Sequence, residues 1–212
     1  MGLDWNPGSK AKPAHEQEFE TLWRKLHAKL CFFRNGKIKR FEEITLTAFE
    51  TLGTPQVGFD ATATEWARKE FFPRVQDKSL TEQAFIEGMR GFYVLDLVPA
   101  CDGIPRYSNG EAGGYVERYS FRGQFLKDGT EIIGNDLLES AYVSKLPGDT
   151  VAYGDMLIEA ASRFATARSI DVTQIQAAED PESIEFRLDV VFSAGRWCRF
   201  WGARGHWLEA YF

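Results

Sequence analysis

Residues 180–207 read DPESIEFRLDVVFSAGRWCRFWGARGHW, and this stretch decides the fold class. Asp180 is suited to cap a helix and Pro181 to occupy its first position. At 100° per residue, Ile184, Phe186, Val190, Val191, Ala194, Trp197, Cys198, Phe200 and Trp201 fill about half the circumference, with Leu188 and Phe192 outside that arc. A helix so broadly apolar is a buried one, so the spacing predicts a central helix over 181–203. One charge intrudes, Arg187, in the middle of the apolar arc. Gly202 and Gly205 then break the helix and present His206 beside Trp207.

Working outward, the helical pattern recurs. Phe19, Leu22, Trp23, Leu26, Leu30 and Phe33 form one stripe, with Asn35-Gly36 as its expected stop. Thr62 to Glu65 and Ser79 to Glu82 have the spacing of capping boxes, opening helices to about Phe72 and about Leu97. Asn135 suits the start of a helix to about Val143, and Pro147-Gly148 breaks the chain. Asp149 or Thr150 opens a helix with Tyr153, Met156, Leu157, Ala160, Phe164 and Ala167 on one side. Residues 38–48 fit a short strand or a helix equally well, and residues 1–13, with Pro7, Gly8 and Pro13, read as a lead-in loop. The expected fold is mainly α, about six helices with at most one or two short strands, in a single compact domain.

Composition bounds the function. The chain has 212 residues, 44% hydrophobic and 14% aromatic, enough for a sizeable core. Its net charge of −6 disfavours a nucleic-acid partner, since phosphate binding needs a basic surface. The charge is uneven, with nine Lys/Arg and four Asp/Glu in residues 1–40 and the acidic excess in the remainder. Three cysteines, Cys31, Cys101 and Cys198, are far apart and odd in number, which suits free thiols in a reducing cytoplasm. No apolar run reaches the ~18 residues of a membrane-spanning helix, and the first residues lack the apolar core of a secretory signal.

Several side chains are candidates for chemistry. Asp96 continues the apolar stripe of Phe85, Met89 and Phe92, where a carboxylate needs a partner. Arg187, a guanidinium in an apolar arc, is the natural partner type. The loop from Cys101 to Asn109 gathers Asp102, Arg106 and Tyr107 after a helix, where binding contacts concentrate. Arg122 lies further along the same irregular stretch. Cys101 follows a helix C-terminus, whose dipole does not favour a thiolate. His206 has glycine neighbours and the ordinary pKa of an acid/base group, with Trp207 beside it. His27 and Cys31 stand four apart on one helix, but no second pair completes a zinc set. Gly110 to Gly114 lacks the Gly-Lys-Ser/Thr ending of a phosphate loop.

No catalytic constellation, metal or cofactor is expected from these residues. They predict a cytoplasmic binding protein with a protein partner, the surplus aromatics being the kind that anchor interfaces. The alternative is a small-molecule binder or a hydrolase-like enzyme. Its cleft would lie between the 99–122 loop and the His206 turn, lined by Asp96 or Asp102, Arg106, Arg122 and His206.

Overall fold

In a computed structural model the described residues are 2–28, 34–75, 79–108, 118–177 and 180–212. Eight α-helices and a three-stranded sheet are found among them, so the chain is mainly α with one strand more than its sequence suggested. No helix among the described residues is long and apolar enough to cross a membrane. The chain divides into two compact units, residues 1–48 with 101–212, and residues 49–100.

The first unit is built on strand β1 (Asp4–Ala11), where the composition predicts a loop. Pro, Gly and Asn are poor strand formers, yet β1 pairs antiparallel with β2 (Thr45–Leu46) on one side and β3 (His206–Tyr211) on the other. Asp4 faces Tyr211 and Lys10 faces His206, and the register shifts between Pro7 and Lys10. That irregularity lets the ladder pass a residue that has no N–H to give. The partner strand lies almost two hundred residues downstream, so no local pattern announces the pairing.

Against the sheet pack α1 (Glu16–Leu26), α2 (Arg34–Glu43), α7 (Pro147–Ala167) and α8 (Ile184–Ala203), and α6 (Thr130–Ser140) packs on α7. Asn35-Gly36 lies in the first turn of α2 and does not stop α1. The helix reading of 38–48 holds as far as Glu43, and the strand reading holds for Thr45 and Leu46. Ser183, not Asp180, caps α8, its Oγ accepting from the Phe186 N–H at 3.1 Å. Along α8, Leu188, Asp189, Val190, Val191, Ser193 to Gly195, Trp197, Cys198, Trp201 and Gly202 are buried. A narrow strip of Phe192, Arg196, Arg199 and Ala203, at helical spacing, reaches the surface.

α7 and α8 approach through Gly154 and Gly195. A Cβ on Gly195 would fall 2.9 Å from the Gly154 carbonyl oxygen, and one on Gly154 would fall 2.7 Å from that of Gly195. Only glycine permits this backbone contact. The core beside it centres on Trp5, fully buried, with the rings of Phe121, Tyr153 and Trp197 at 5.3, 5.8 and 5.9 Å. A second cluster joins Phe19, Trp23, Ile44, Leu146 and Trp207.

The second unit holds α4 (Ala61–Trp66), α5 (Glu82–Gly88) and connecting turns. Asp60 caps α4 through Oδ1, which accepts from the N–H of Thr62 and of Ala63 at 2.8 and 3.0 Å. Pro73 closes the following turns, and the Phe72 ring packs on Phe85 at 5.3 Å. Thr81, rather than Ser79, caps α5, which ends at Gly88. The expected continuation to Leu97 fails, because Gly91 takes a positive φ of 86° and the chain turns back to hydrogen-bond at Val57. Asp96 therefore sits in a short turn, Leu95–Leu97, and is exposed. It does not continue the Phe85 stripe.

Candidate functional site

The first unit carries a cleft of about 750 Å³. β1 contributes Lys10 and Ala11, followed by Pro13. One side of α1 contributes Glu16, Phe19, Glu20 and Arg24, a run of two helical turns about 12 Å long. The first turn of α7 supplies Pro147, Gly148 and Asp149, and the end of α8 supplies Ala203 and Arg204. Phe19 and Leu146 are buried members of the core beneath it. The cleft thus has an apolar floor with three cations and three carboxylates around it.

Those charges are differently engaged. Arg24 donates to Glu20 Oε1 from both Nε, at 3.0 Å, and Nη2, at 2.7 Å. Arg204 stacks its guanidinium 3.6 Å from the centroid of the Phe200 ring and donates to the Phe200 carbonyl at 3.0 Å. Lys10, Glu16 and Asp149 have no side-chain hydrogen bond among the described residues. They hold charge at the rim for an incoming group. Leu146, which caps α7, offers no side-chain acceptor, so the N–H groups of the first turn also face outward from the helix end.

The sequence-derived candidates lie elsewhere. Asp102, Arg106 and Tyr107 do converge, and what gathers them is Asp189 of α8 with its neighbour Arg196. Tyr107, buried, donates its hydroxyl to Asp189 Oδ2 at 2.8 Å. Burial, and then this hydrogen bond, push the phenol pKa well up. Arg106 Nη1 stands 3.7 Å from the same oxygen, and Arg196 Nη2 stands 3.8 Å from Oδ1. Exposed Asp102 reaches Arg196 Nε at 3.5 Å. Arg122 lies instead beside Asp4 and Gln124.

His206 takes no part in that cluster. It is fully buried as the first residue of β3, not on a turn, with Nδ1 donating to the Gly8 carbonyl at 2.6 Å and its ring edge-on to Trp201 at 5.0 Å. Burial depresses its pKa to about 4, so it is neutral and sealed rather than poised as an acid/base group. From Asp189 to Ala203 the axis of α8 advances about 20 Å, and the two features sit towards opposite ends of that length. Trp207 is buried against Trp23 and His27, at 5.8 and 4.9 Å between rings. Its role is in the core.

Arg187 also departs from expectation. Its guanidinium lies 3.1 Å from Glu131 and 3.6 Å from Glu182, both well exposed, and its own side chain is 27% exposed. Removing one partner of a deeply buried ion pair costs about 3–5 kcal/mol, but this pair reaches water. Arg187→Ala is therefore expected to lose only about 1 kcal/mol. Urea denaturation measures this, and a loss above about 3 kcal/mol would show that the pair behaves as buried.

Cys101 and Cys198 are free, and Cys101 is half-buried. Burial pushes the Cys198 thiol well up, which keeps it protonated and inert. Cys31 and the Gly110–Gly114 loop lie outside the described residues. No group of three or more metal-ligating side chains is brought together among the described residues.

Asp189, Arg196 and the cleft residues Lys10, Arg24, Asp149 and Arg204 were not singled out from sequence. Asp189 had a local signal, a carboxylate two residues from Arg187 at the edge of the apolar arc. The cleft had none, since its walls come from five separated segments. Comparison with known proteins gives no match to this chain among family models, curated sequences or solved structures.

Proposed function

We propose that this chain is a binding protein and that the cleft beside α1 receives a short segment of a protein partner. The observation carrying this reading is the cleft itself, about 750 Å³ with an apolar floor and charges of both signs around it. A polypeptide segment matches that arrangement, offering apolar side chains to Phe19 and Leu46 and charged ones to Lys10, Glu16, Asp149 and Arg204. An acidic residue would meet Lys10 or Arg204, and a basic one Glu16 or Asp149.

The test is a screen of pentapeptides with mixed charge and apolar centres by thermal shift. Wild-type protein is compared with Gly148→Trp, whose new side chain enters open space at the cleft. Binding peptides are expected to raise the melting temperature of the wild type only, by an amount that grows with peptide concentration. At 100 times Kd the stabilisation is about 2.7 kcal/mol. Equal shifts in both proteins, or none in either, would sink the assignment of the cleft.

A second reading, a small-molecule ligand in the same cleft, is favoured by its volume, which falls within the ~300–1,000 Å³ of such sites. Screening small carboxylates and amines in parallel separates the two, since a tight small ligand that excludes peptides would favour this second reading.

A further inference from the structure

A smaller cavity of about 220 Å³ opens on the face formed by α7, α8 and the turn at residues 172–177. Ser162, Val172, Ile175, Asp189, Phe192 and Arg196 line it, and none of them lines the larger cleft. Water occupies about 30 Å³ per molecule in the liquid, so there is room for several non-hydrogen atoms.

Its chemistry is unusually specific. Asp189 is 95% buried at the side chain, its exposure being 5%. Oδ2 is well used by the Tyr107 hydroxyl at 2.8 Å. Oδ1 has only distant company, Ser193 Oγ at 3.5 Å and Arg196 Nη2 at 3.8 Å. A buried carboxylate oxygen without a close donor is costly, and a cationic donor in the cavity would relieve it. Arg196, 38% exposed, donates from Nη2 to Ser193 Oγ at 2.9 Å and meets Asp102 through Nε at 3.5 Å. A planar guanidinium held on two of its edges retains further N–H groups for a carboxylate. Val172, Ile175 and Phe192 complete the walls with apolar surface.

We infer that this cavity binds a free α-amino acid with an aliphatic side chain. The ammonium goes to Asp189 Oδ1, the carboxylate to Arg196 and the side chain to Val172, Ile175 and Phe192. One carbon separates the two charged groups of an α-amino acid. An aspartate and an arginine already 3.8 Å apart are spaced to meet both at once. An amine alone would leave Arg196 without a carboxylate, and a carboxylate alone would lie beside that of Asp189, a like charge with no ammonium between them, even with Arg106 3.7 Å from Oδ2.

Isothermal titration of the full chain with L-leucine tests the proposal. Two analogues, 3-methylbutylamine and 4-methylpentanoate, each lack one of the charged groups. Leucine is expected to bind, and each analogue to bind at least about tenfold more weakly, the scale of one lost charge-assisted hydrogen bond. Asp189→Asn, which keeps an acceptor for Tyr107, should weaken leucine by about tenfold or more. Ser162→Trp, at an exposed helix position lining the cavity, should abolish binding with the melting temperature unchanged. The second variant keeps the test decisive if the first fails to fold. The proposal is overturned if leucine does not bind the wild type, if Ser162→Trp binds it normally, or if either analogue binds as tightly. This site is independent of the larger cleft, since Gly148→Trp should leave leucine binding intact.

Discussion

Replacing Trp197 with Ala is expected to destabilise the first unit by about 3–5 kcal/mol, the largest effect of any substitution considered for this chain. Trp197 has no exposed surface, as its place in the apolar arc requires. Its ring is 5.9 Å from Trp5 and 6.5 Å from Phe121 and from Trp201. Its Nε1 donates to the Tyr119 carbonyl at 2.9 Å. Alanine would remove the ring's transfer free energy, leave a cavity between α8 and β1, and strand that carbonyl without its donor. Trp197→Phe should lose less, because it keeps most of the packing and forfeits mainly the hydrogen bond. Chemical denaturation of the three proteins checks the order. A loss below about 1 kcal/mol for the alanine variant would mean that Trp197 does not pack at the centre of this core.

Acid should unfold the protein in part through His206. In the unfolded chain its imidazole has the ordinary pKa of 6.5, whereas burial holds it at about 4 in the fold. Above pH 6.5 both states hold a neutral ring and the full stability is present. Between pH 6.5 and 4 the unfolded chain takes up a proton that the folded protein refuses, so stability falls as pH falls. The loss approaches about 1.4 kcal/mol per pH unit and reaches about 2.5 kcal/mol by pH 4.5. His206→Gln keeps a donor for the Gly8 carbonyl but does not titrate. The drop in unfolding free energy between pH 7.5 and 4.5 should be smaller in this variant by about 2.5 kcal/mol, since carboxylates contribute equally to both proteins. Identical drops would show that His206 is protonated in the fold.

The same burial bears on function. A histidine that follows a glycine just past a helix looks in sequence like a mobile acid/base group. Strand pairing of Lys10 with His206 and the bond to Gly8 instead remove it from solvent. The loop that sequence placed opposite it, carrying Asp102, Arg106 and Tyr107, docks on Asp189 and Arg196. The elements of a site were thus present in the chain, but they assemble around a carboxylate that local reading passed over.

What the sequence by itself determined is the set of local, periodic features. The apolar arc of residues 184–201, the stripes of Phe19 with Trp23 and of Tyr153 with Leu157, and the mainly α class follow from 3.6-residue spacing that any isolated segment displays. The burial of Trp197 and Trp201 follows from the same pattern. Tertiary structure alone decided the features that rest on partners distant in the chain. Asp4–Ala11 is a strand because β3 pairs with it, despite a composition that argues for a loop. Asp96 leaves its stripe because Gly91 turns the chain back to Val57. Arg187 finds Glu131, far back in the chain, and the larger cleft is walled by segments far apart in sequence. Hydrogen-bond ladders and ion pairs of this kind depend on which surfaces meet, and periodicity within one segment carries no record of the surface it will meet.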